Sequence, residues 1–211
     1  MNEQVVFYTN PMSRGRIVRW MLEEVGQPYK TEVLDFATGL KGAAYLAINP
    51  MGKVPAIRHR DVIVTETAAI CAYLADAFPE ARLAPAPGDP LRGTYYRWLF
   101  FAAGPIEAAV TNKALGFETP QGRERMAGWG TYAAVMDAME WAVSRAPYVA
   151  GEHFSAADVY FGSQIGFGLR FNSMEQRPAF ERYWQRISSR PAAVRAREID
   201  DALIAQNQKP G

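Results

Sequence analysis

Two hydroxyl side chains lie near the point where the first apolar segment of the chain ends. Tyr8 closes that segment and Ser13 follows in the next turn. A hydroxyl that donates a hydrogen bond beside the positive end of a helix can stabilise a nearby anion. Ser13 equally suits the N-cap of the helix that follows, and Tyr8 suits a half-buried core position in a strand. The residues alone leave both roles open.

A second position that could bind a ligand is the dipeptide Glu66-Thr67, where a predicted strand passes into a predicted helix. The unpaired amides and the positive end of a helix bind carboxylates and phosphates. An ordinary helix start with an acidic residue in its first turn has the same sequence. Pro55, by itself, indicates only the start of an edge strand.

The remaining reactive side chains argue against metal and disulfide chemistry. Cys71 is the single cysteine, and His59 and His153 lie far apart, so neither an internal disulfide nor a zinc site is expected. Cys71 falls on a predicted core face and is interpreted as an inert packing residue. Ser155 and Asp158 have the spacing of a capping box and are expected to be structural.

Composition narrows the class of protein further. The chain has 49% hydrophobic and 21% charged residues, typical of a folded globular protein. Its 23 basic and 22 acidic residues nearly cancel without a dense basic run, which argues against a nucleic-acid partner. No signal peptide and no run of 18 apolar residues is evident. We therefore expect no membrane partner and a cytoplasmic location.

Hydrophobic periodicity predicts an α/β unit in the first part of the chain. A strand–helix–strand unit of this length should have a right-handed crossover and parallel strands, and the next two strands should form an antiparallel hairpin. The predicted strands are Gln4–Thr9, Thr31–Asp35, Pro55–Arg58 and Val62–Thr65. The first predicted helix starts at Arg16 and has Gly26 at its C′ position, and the other two span Leu40–Ile48 and Glu66–Ala77.

The rest of the chain reads as helical after a stretch rich in Pro, Ala and Gly between Pro79 and Pro90. Such composition is typical of a linker between domains. We predict domains at residues 1–79 and 91–211, joined by a linker at 80–90. Pro105 should kink the first helix of the second domain. The predicted helices are Leu91–Leu115, Gln121–Ser144, Ala156–Arg170, Ala179–Ser189 and Ala192–Ala205.

Three motifs resemble the cytosolic glutathione transferases. The stretch N49-P-M-G-K-V-P-A-I, followed by a hairpin and T65-E-T-A-A-I-C-A-Y-L, resembles the glutathione-binding half of that family. FYTNPMSRGRIVRWMLEEVG resembles its first strand and helix, and G151-E-H-F-S-A-A-D its later helix start. The resemblance implies a thioredoxin-like α/β amino-terminal domain, in the order βαβ-α-ββα, and an all-α carboxy-terminal helical bundle.

The resemblance also implies a glutathione site. The Val54-Pro55 bond should be cis, so that the Val54 backbone pairs antiparallel with the cysteinyl part of glutathione. Glu66 and Thr67 should receive the γ-glutamyl end. Most relatives carry serine where this chain has Thr67, which keeps the hydroxyl and adds a methyl.

Four further residues complete the predicted glutathione site by resemblance. Lys41 and Lys53 should meet the glycyl carboxylate, although each is almost as typical of a solvated surface. Asn10 and Arg14 flank the candidate hydroxyl in the first turn. The expected co-substrate is glutathione, with no metal.

Thiol activation is the chemistry that the resemblance assigns to the first turn. A free thiol has a pKa of about 8.5 and is mostly protonated at neutral pH, whereas the thiolate is the nucleophile. Serine-type members use the position matched by Ser13, and tyrosine-type members the position matched by Tyr8. Ser13 is the first choice and Tyr8 the rival.

A second substrate should bind apolar surface from the helical domain. Phe101 and Pro105 are the candidate liners, although a stripe of aromatic residues at helical spacing is more typical of core. The implied function is conjugation of glutathione to small hydrophobic electrophiles, a detoxification reaction, by a homodimer. Alternatives are a glutathione-dependent peroxidase or isomerase and a non-catalytic binding or regulatory protein. The absence of an early C-x-x-C opposes a thiol–disulfide oxidoreductase.

Overall fold

A computed structural model describes residues 4–207 of the chain. Four strands form a mixed sheet in the order β2-β1-β3-β4. β1 pairs parallel with β2 and antiparallel with β3, and β3 pairs antiparallel with β4. The predicted βαβ unit and hairpin are confirmed. The strands are β1 (Val5–Thr9), β2 (Tyr29–Val33), β3 (Ala56–His59) and β4 (Val62–Thr65).

β1 is an interior strand of this sheet, since it pairs with β2 on one side and β3 on the other, and both of its faces are covered. All five of its residues are buried, as is typical of a strand with helices on both sides. Val6 and Tyr8 pack with Leu40 and Tyr45 on one face. Since side chains alternate along a strand, Phe7 lies on the opposite face.

Helices α1 (Gly15–Val25), α2 (Ala43–Leu46) and α3 (Thr67–Ala77) belong to the same unit as the sheet. α1 ends as the sequence predicts, since Gly26 adopts φ 73° and its N–H donates to the Leu22 carbonyl. α2 is shorter than the predicted Leu40–Ile48 helix, because residues around Gly39 form turns instead. The architecture is the thioredoxin-like arrangement that the sequence predicted.

A second unit is mostly helical. Where the sequence predicted a kink at Pro105, a π-helical segment at Ala102–Ile106 contains this proline and separates two α-helices. The helix predicted from Gln121 begins only at Tyr132, because Gly122 and Gly130 adopt positive φ and the Thr131 side chain caps the later start by accepting from the Ala134 amide. The helices are α4 (Leu91–Phe101), α5 (Glu107–Ala114), α6 (Tyr132–Arg145), α7 (Ala156–Phe171) and α8 (Pro178–Ser188).

The last helix, α9 (Pro191–Asn207), groups with the first unit rather than with the other helices. The two compact units comprise residues up to Leu83 together with those from Ser189, and residues 84–188. This division differs from the predicted domain 91–211. The physical reason is that Asp200 on α9 and Arg19 on α1 form a buried ion pair, with Nε 3.1 Å from Oδ1.

Candidate functional site

Three strands bring their site residues to one edge of the sheet. β1 ends at this edge, β3 begins there and β4 ends there, because Tyr8 pairs with Ala56 and Ala56 pairs with Thr65. The segments before β3 and after β4 therefore converge beside the turn that follows β1.

Asn10 ties the ends of two strands together. Its side chain is buried, and Nδ2 donates to the Leu34 carbonyl at 2.8 Å, just after β2. Its Oδ1 accepts from the Met12 amide at 2.9 Å. Both ends of the amide group are thus used to shape the turn. Asn10 is therefore a positioning residue for the turn that carries Ser13.

Ser13 is half-buried in this turn, and its hydroxyl is already engaged. Oγ donates to the Asn10 carbonyl at 2.7 Å and accepts from the Gly15 amide at 2.9 Å. A hydroxyl has a single proton to donate, so Ser13 can donate to another anion only by rotating away from Asn10. Ser13 therefore stabilises the turn, although Arg14 and not Ser13 occupies the N-cap of α1.

Tyr8 lies on β1 and is 8% exposed. Its ring packs against Tyr45, with centroids 5.9 Å apart. The Tyr45 hydroxyl donates to the Lys53 carbonyl at 2.6 Å, and burial raises the pKa of Tyr45 to about 12. Tyr45 therefore stays a neutral donor, and its hydroxyl is committed to the Lys53 carbonyl.

Two side chains that the sequence did not assign to the site, Tyr45 and Asn49, hold the segment before β3 in place. The Lys53 carbonyl accepts from Tyr45 and also from Asn49 Nδ2 at 2.8 Å. Asn49 is buried, and its place in the N-P-M-G motif was the available signal. The Val54-Pro55 bond is cis, Val54 is half-buried and Pro55 is buried. This backbone is consequently fixed in position.

The two predicted cations lie on the loops beside this segment. Both are exposed, and Lys41 Nζ donates to the Met51 carbonyl at 3.2 Å. Gly52 between them adopts φ 58°, and a Cβ there would lie 2.9 Å from that Nζ. The same Cβ would lie 2.7 Å from the Leu40 carbonyl oxygen, so the positive φ and this backbone contact favour glycine at position 52.

Glu66 has an unusual backbone at the start of α3. It adopts φ 64° and ψ 118°, a region that costs a non-glycine residue about 1–3 kcal/mol. Glu66 occupies the N-cap but makes no side-chain hydrogen bond to the helix amides. Glu66 is exposed and Thr67 is buried. The first amides of α3 are thus open to an anion, with a carboxylate beside them.

The remaining predicted residues are Arg14 in the first unit and Phe101 and Pro105 in the second. Arg14 is exposed at the N-cap position of α1. Phe101 is half-buried at the end of α4, with its ring 5.5 Å from that of Trp98. Pro105 lies in the π-helical segment, and π-helical turns are frequent at functional sites. Phe101 and Pro105 belong to the second unit, so the structure does not group them with the sheet-edge residues.

The interpretations of Cys71 and of the capping pair are confirmed. Cys71 is fully buried, and burial raises the pKa of its thiol far above the usual range. Ser155 and Asp158 form a capping box at the start of α7. Within residues 4–207, no group of three or more His, Cys, Asp or Glu is arranged to hold a metal ion. None of the helices in that range is long and apolar enough to cross a membrane.

Comparison with known proteins agrees with the motifs. Residues 12–77 match the model of the glutathione S-transferase amino-terminal domain. A glutathione S-transferase of Arabidopsis thaliana is 29% identical over 196 residues, 81% of this chain and 86% of the relative. The relative GstA of Escherichia coli is 27% identical over 173 residues, 80% of this chain and 81% of the relative.

Solved structures extend the agreement to the whole fold. A glutathione transferase from Methylococcus capsulatus is 27% identical, with a TM-score of 0.78 over 94% of this chain and 99% of that chain. A homologue from Sulfitobacter, solved with bound glutathione, is 29% identical, with a TM-score of 0.76 over 93% and 98%. The sheet, the helical unit and the motifs are therefore all similar to those of glutathione transferases, and residues 12–77 match the amino-terminal domain of that family.

Proposed function

We propose that this protein binds glutathione at the sheet edge and transfers its sulfur to small hydrophobic electrophiles. The observation that carries the proposal is the uncapped amino terminus of α3, next to Glu66 and beside the fixed Val54 backbone. These groups match the carboxylate, the ammonium and the peptide unit at one end of glutathione. The bound glutathione of the Sulfitobacter homologue supports the choice of ligand.

In this proposal each end of glutathione has its own partners. The γ-glutamyl carboxylate accepts from the first amides of α3 and from Thr67, and Glu66 pairs with the α-ammonium. The Val54 backbone pairs with the cysteinyl residue, while Lys41 and Lys53 attract the glycyl carboxylate. Because these contacts fix both ends, the sulfur is directed towards the turn after β1.

The chemical step is a nucleophilic substitution or addition by the thiolate. The glutathione thiol loses its proton to solvent and the sulfur forms a bond to the electrophilic carbon. In a substitution the leaving group departs with its electron pair, and in an addition the π bond breaks and its electron pair takes up a proton from solvent. The protein contributes stabilisation of the anion and positioning, without a covalent enzyme intermediate. A hydroxyl donor near 3 Å and the positive end of α1 can lower the thiol pKa by about one to two units.

Ser13 is the proposed donor and Tyr8 the rival. To donate to the thiolate, the Ser13 hydroxyl must give up its hydrogen bond to the Asn10 carbonyl. A charge-assisted hydrogen bond is roughly twice as strong as a neutral one, which favours the exchange. Asn10 and Arg14 then act by shaping and flanking the turn, while Phe101 and Pro105 supply apolar surface for the electrophile.

The test is a titration of the purified protein with reduced glutathione, in which thiolate absorbance is followed against pH. Wild type, Ser13→Ala and Tyr8→Phe are compared. We expect the bound thiol to ionise below about pH 7.5, against about 8.5 when free, and Ser13→Ala to lose the shift while Tyr8→Phe retains it. Loss of the shift in Tyr8→Phe alone would reassign the donor, and absence of glutathione binding would overturn the proposal.

Assembly and location are part of the same proposal. We expect a cytoplasmic homodimer that acts in detoxification, as the family resemblance implies. Light scattering at micromolar concentration checks the mass, where a monomer of 23.5 kDa would contradict the dimer.

A further inference from the structure

A cavity of about 290 Å³ lies between the carboxy-terminal turn of α6 and one face of α8. The residues on the α8 side are at positions i, i+3, i+4 and i+7, which form a single helix face. All the lining residues belong to the second unit. They are Val143, Ser144, Arg145, Ala146, Pro147, Ala179, Arg182, Tyr183 and Arg186.

The charge of this cavity is strongly positive. Arg145, Arg182 and Arg186 line it, and none of its lining residues is acidic. The whole chain carries a formal charge of only +1, so this local excess is not a property of the surface as a whole. Three like charges around one cavity repel one another, and an anion among them would remove that repulsion.

The three guanidinium groups are held to different degrees. Arg186 donates from one amino group to the Pro147 carbonyl at 2.8 Å, which fixes the planar group at the cavity wall. Arg145 lies over the Trp141 ring, with Cζ 4.5 Å from the centroid. Arg182 makes no hydrogen bond or ion pair with any residue in the range 4–207. Arg145 and Arg182 consequently keep donors for a ligand.

Two negative features lie near this cavity, and neither is an acidic side chain in its lining. The carboxy-terminal end of α6 carries about half a negative charge. Asp158 lies behind Tyr183, fully buried, and accepts hydrogen bonds from the Tyr183 hydroxyl, the Ser155 hydroxyl and the Val149 and Ser155 amides. These donors compensate its charge, so the net field in the cavity is that of the arginines.

We propose that this cavity is a binding site for a tetrahedral oxyanion, either inorganic phosphate or the phosphoryl group of a small phosphomonoester. Guanidinium groups bind phosphate through paired, charge-assisted hydrogen bonds. The volume exceeds that of the anion alone, and the Tyr183 ring with Val143 and Ala179 offers an apolar wall for an organic substituent. This site is independent of glutathione binding.

The test titrates full-length protein with inorganic phosphate while sodium chloride keeps the ionic strength constant. Arginine Nε–Hε signals report binding by NMR, and phenyl phosphate is titrated in parallel. The variants are Arg182→Gln and the double variant with Arg186→Gln. Arg125→Gln is the matched control, an exposed arginine of the same unit that does not line the cavity. Circular dichroism checks the fold of each.

We expect saturable phosphate binding in wild type and Arg125→Gln, with affinity about tenfold lower in the double variant. Tighter binding of phenyl phosphate identifies a phosphomonoester as the occupant, whereas equal affinity identifies the free anion. Linear, non-saturable shifts overturn the proposal. So does unchanged affinity in the double variant, which would place the anion elsewhere, for example at the start of α3.

Discussion

Gly15 offers a direct test of how tightly the proposed active turn is built. A Cβ placed on Gly15 would lie 1.9 Å from Thr9 Oγ1 and 3.0 Å from Ser13 Oγ. Thr9 is fully buried at the end of β1. Since Cβ contacts shorter than 3.0 Å essentially never occur, Gly15→Ala requires a displacement of about 1.1 Å, the difference between 3.0 and 1.9 Å. The turn that carries Ser13 must therefore shift.

The energetic cost follows from two opposing effects. Overpacking a buried position costs about 1–3 kcal/mol, whereas replacing glycine by alanine in a helix gains up to about 1 kcal/mol. We expect Gly15→Ala to lower the free energy of unfolding by about 1–2 kcal/mol and to reduce kcat/KM for glutathione with a chlorodinitrobenzene substrate by about tenfold or more.

Urea unfolding and steady-state kinetics measure both effects. Thr9→Ala removes the clashing oxygen, so the double variant Thr9→Ala/Gly15→Ala should be at least about 1 kcal/mol more stable than the sum of the single effects predicts. Gly93→Ala is the matched control, because this glycine of α4 has no atom within 4 Å of the added Cβ. We expect it to be stabilising. Additive effects of the two substitutions, or Gly15→Ala as stable as Gly93→Ala, would refute the reasoning.

Three further predictions concern buried groups. Arg19→Met leaves the Asp200 carboxylate buried without its partner, so unfolding free energy should fall by about 3–5 kcal/mol, and Arg19→Met/Asp200→Leu should recover most of it; a double variant no better than the single one contradicts this. Burial raises the pKa of Asp158 from 3.8 to about 6. The folded state then keeps a proton that the unfolded chain releases, so stability falls by about 3 kcal/mol as pH rises from about 4 to 6. Asp158→Asn should remove this slope, and urea midpoints against pH that are equally flat in both proteins would disprove it. The fully buried Cys71 should resist a thiol reagent at pH 8 until urea unfolds the protein, whereas full labelling of the native protein would refute its burial.

Local sequence signals predicted most of the elements correctly. β4 was predicted with its observed bounds, and α1 ends at Gly26 as expected. These features depend on neighbouring residues, because alternation and helical spacing define a face and glycine permits positive φ. The predicted helix from Gln121 failed at its start for the same kind of reason. The glycines at 122 and 130 adopt positive φ, so the helix begins only after them.

The sequence predicted those residues of the candidate site that lie within a recognisable motif. Val54, Pro55, Glu66 and Thr67 come from two stretches whose separation is characteristic of the family, and the β3–β4 register places both stretches at one edge. Tyr45 was not predicted to support this site. Its contact with the Lys53 carbonyl depends on how α2 packs onto the sheet, which no local pattern encodes.

The sequence by itself determined the family motifs and most of the order of the elements, and it supplied the residues that we propose to contact glutathione. Only the tertiary structure decided that Ser13 already donates to Asn10, that Glu66 takes a positive φ, and that α9 packs on α1 through Arg19. The physical reason is that local propensity acts between neighbours along the chain. Hydrogen-bond partners and buried charges instead depend on residues that are distant in sequence and meet only when the chain folds.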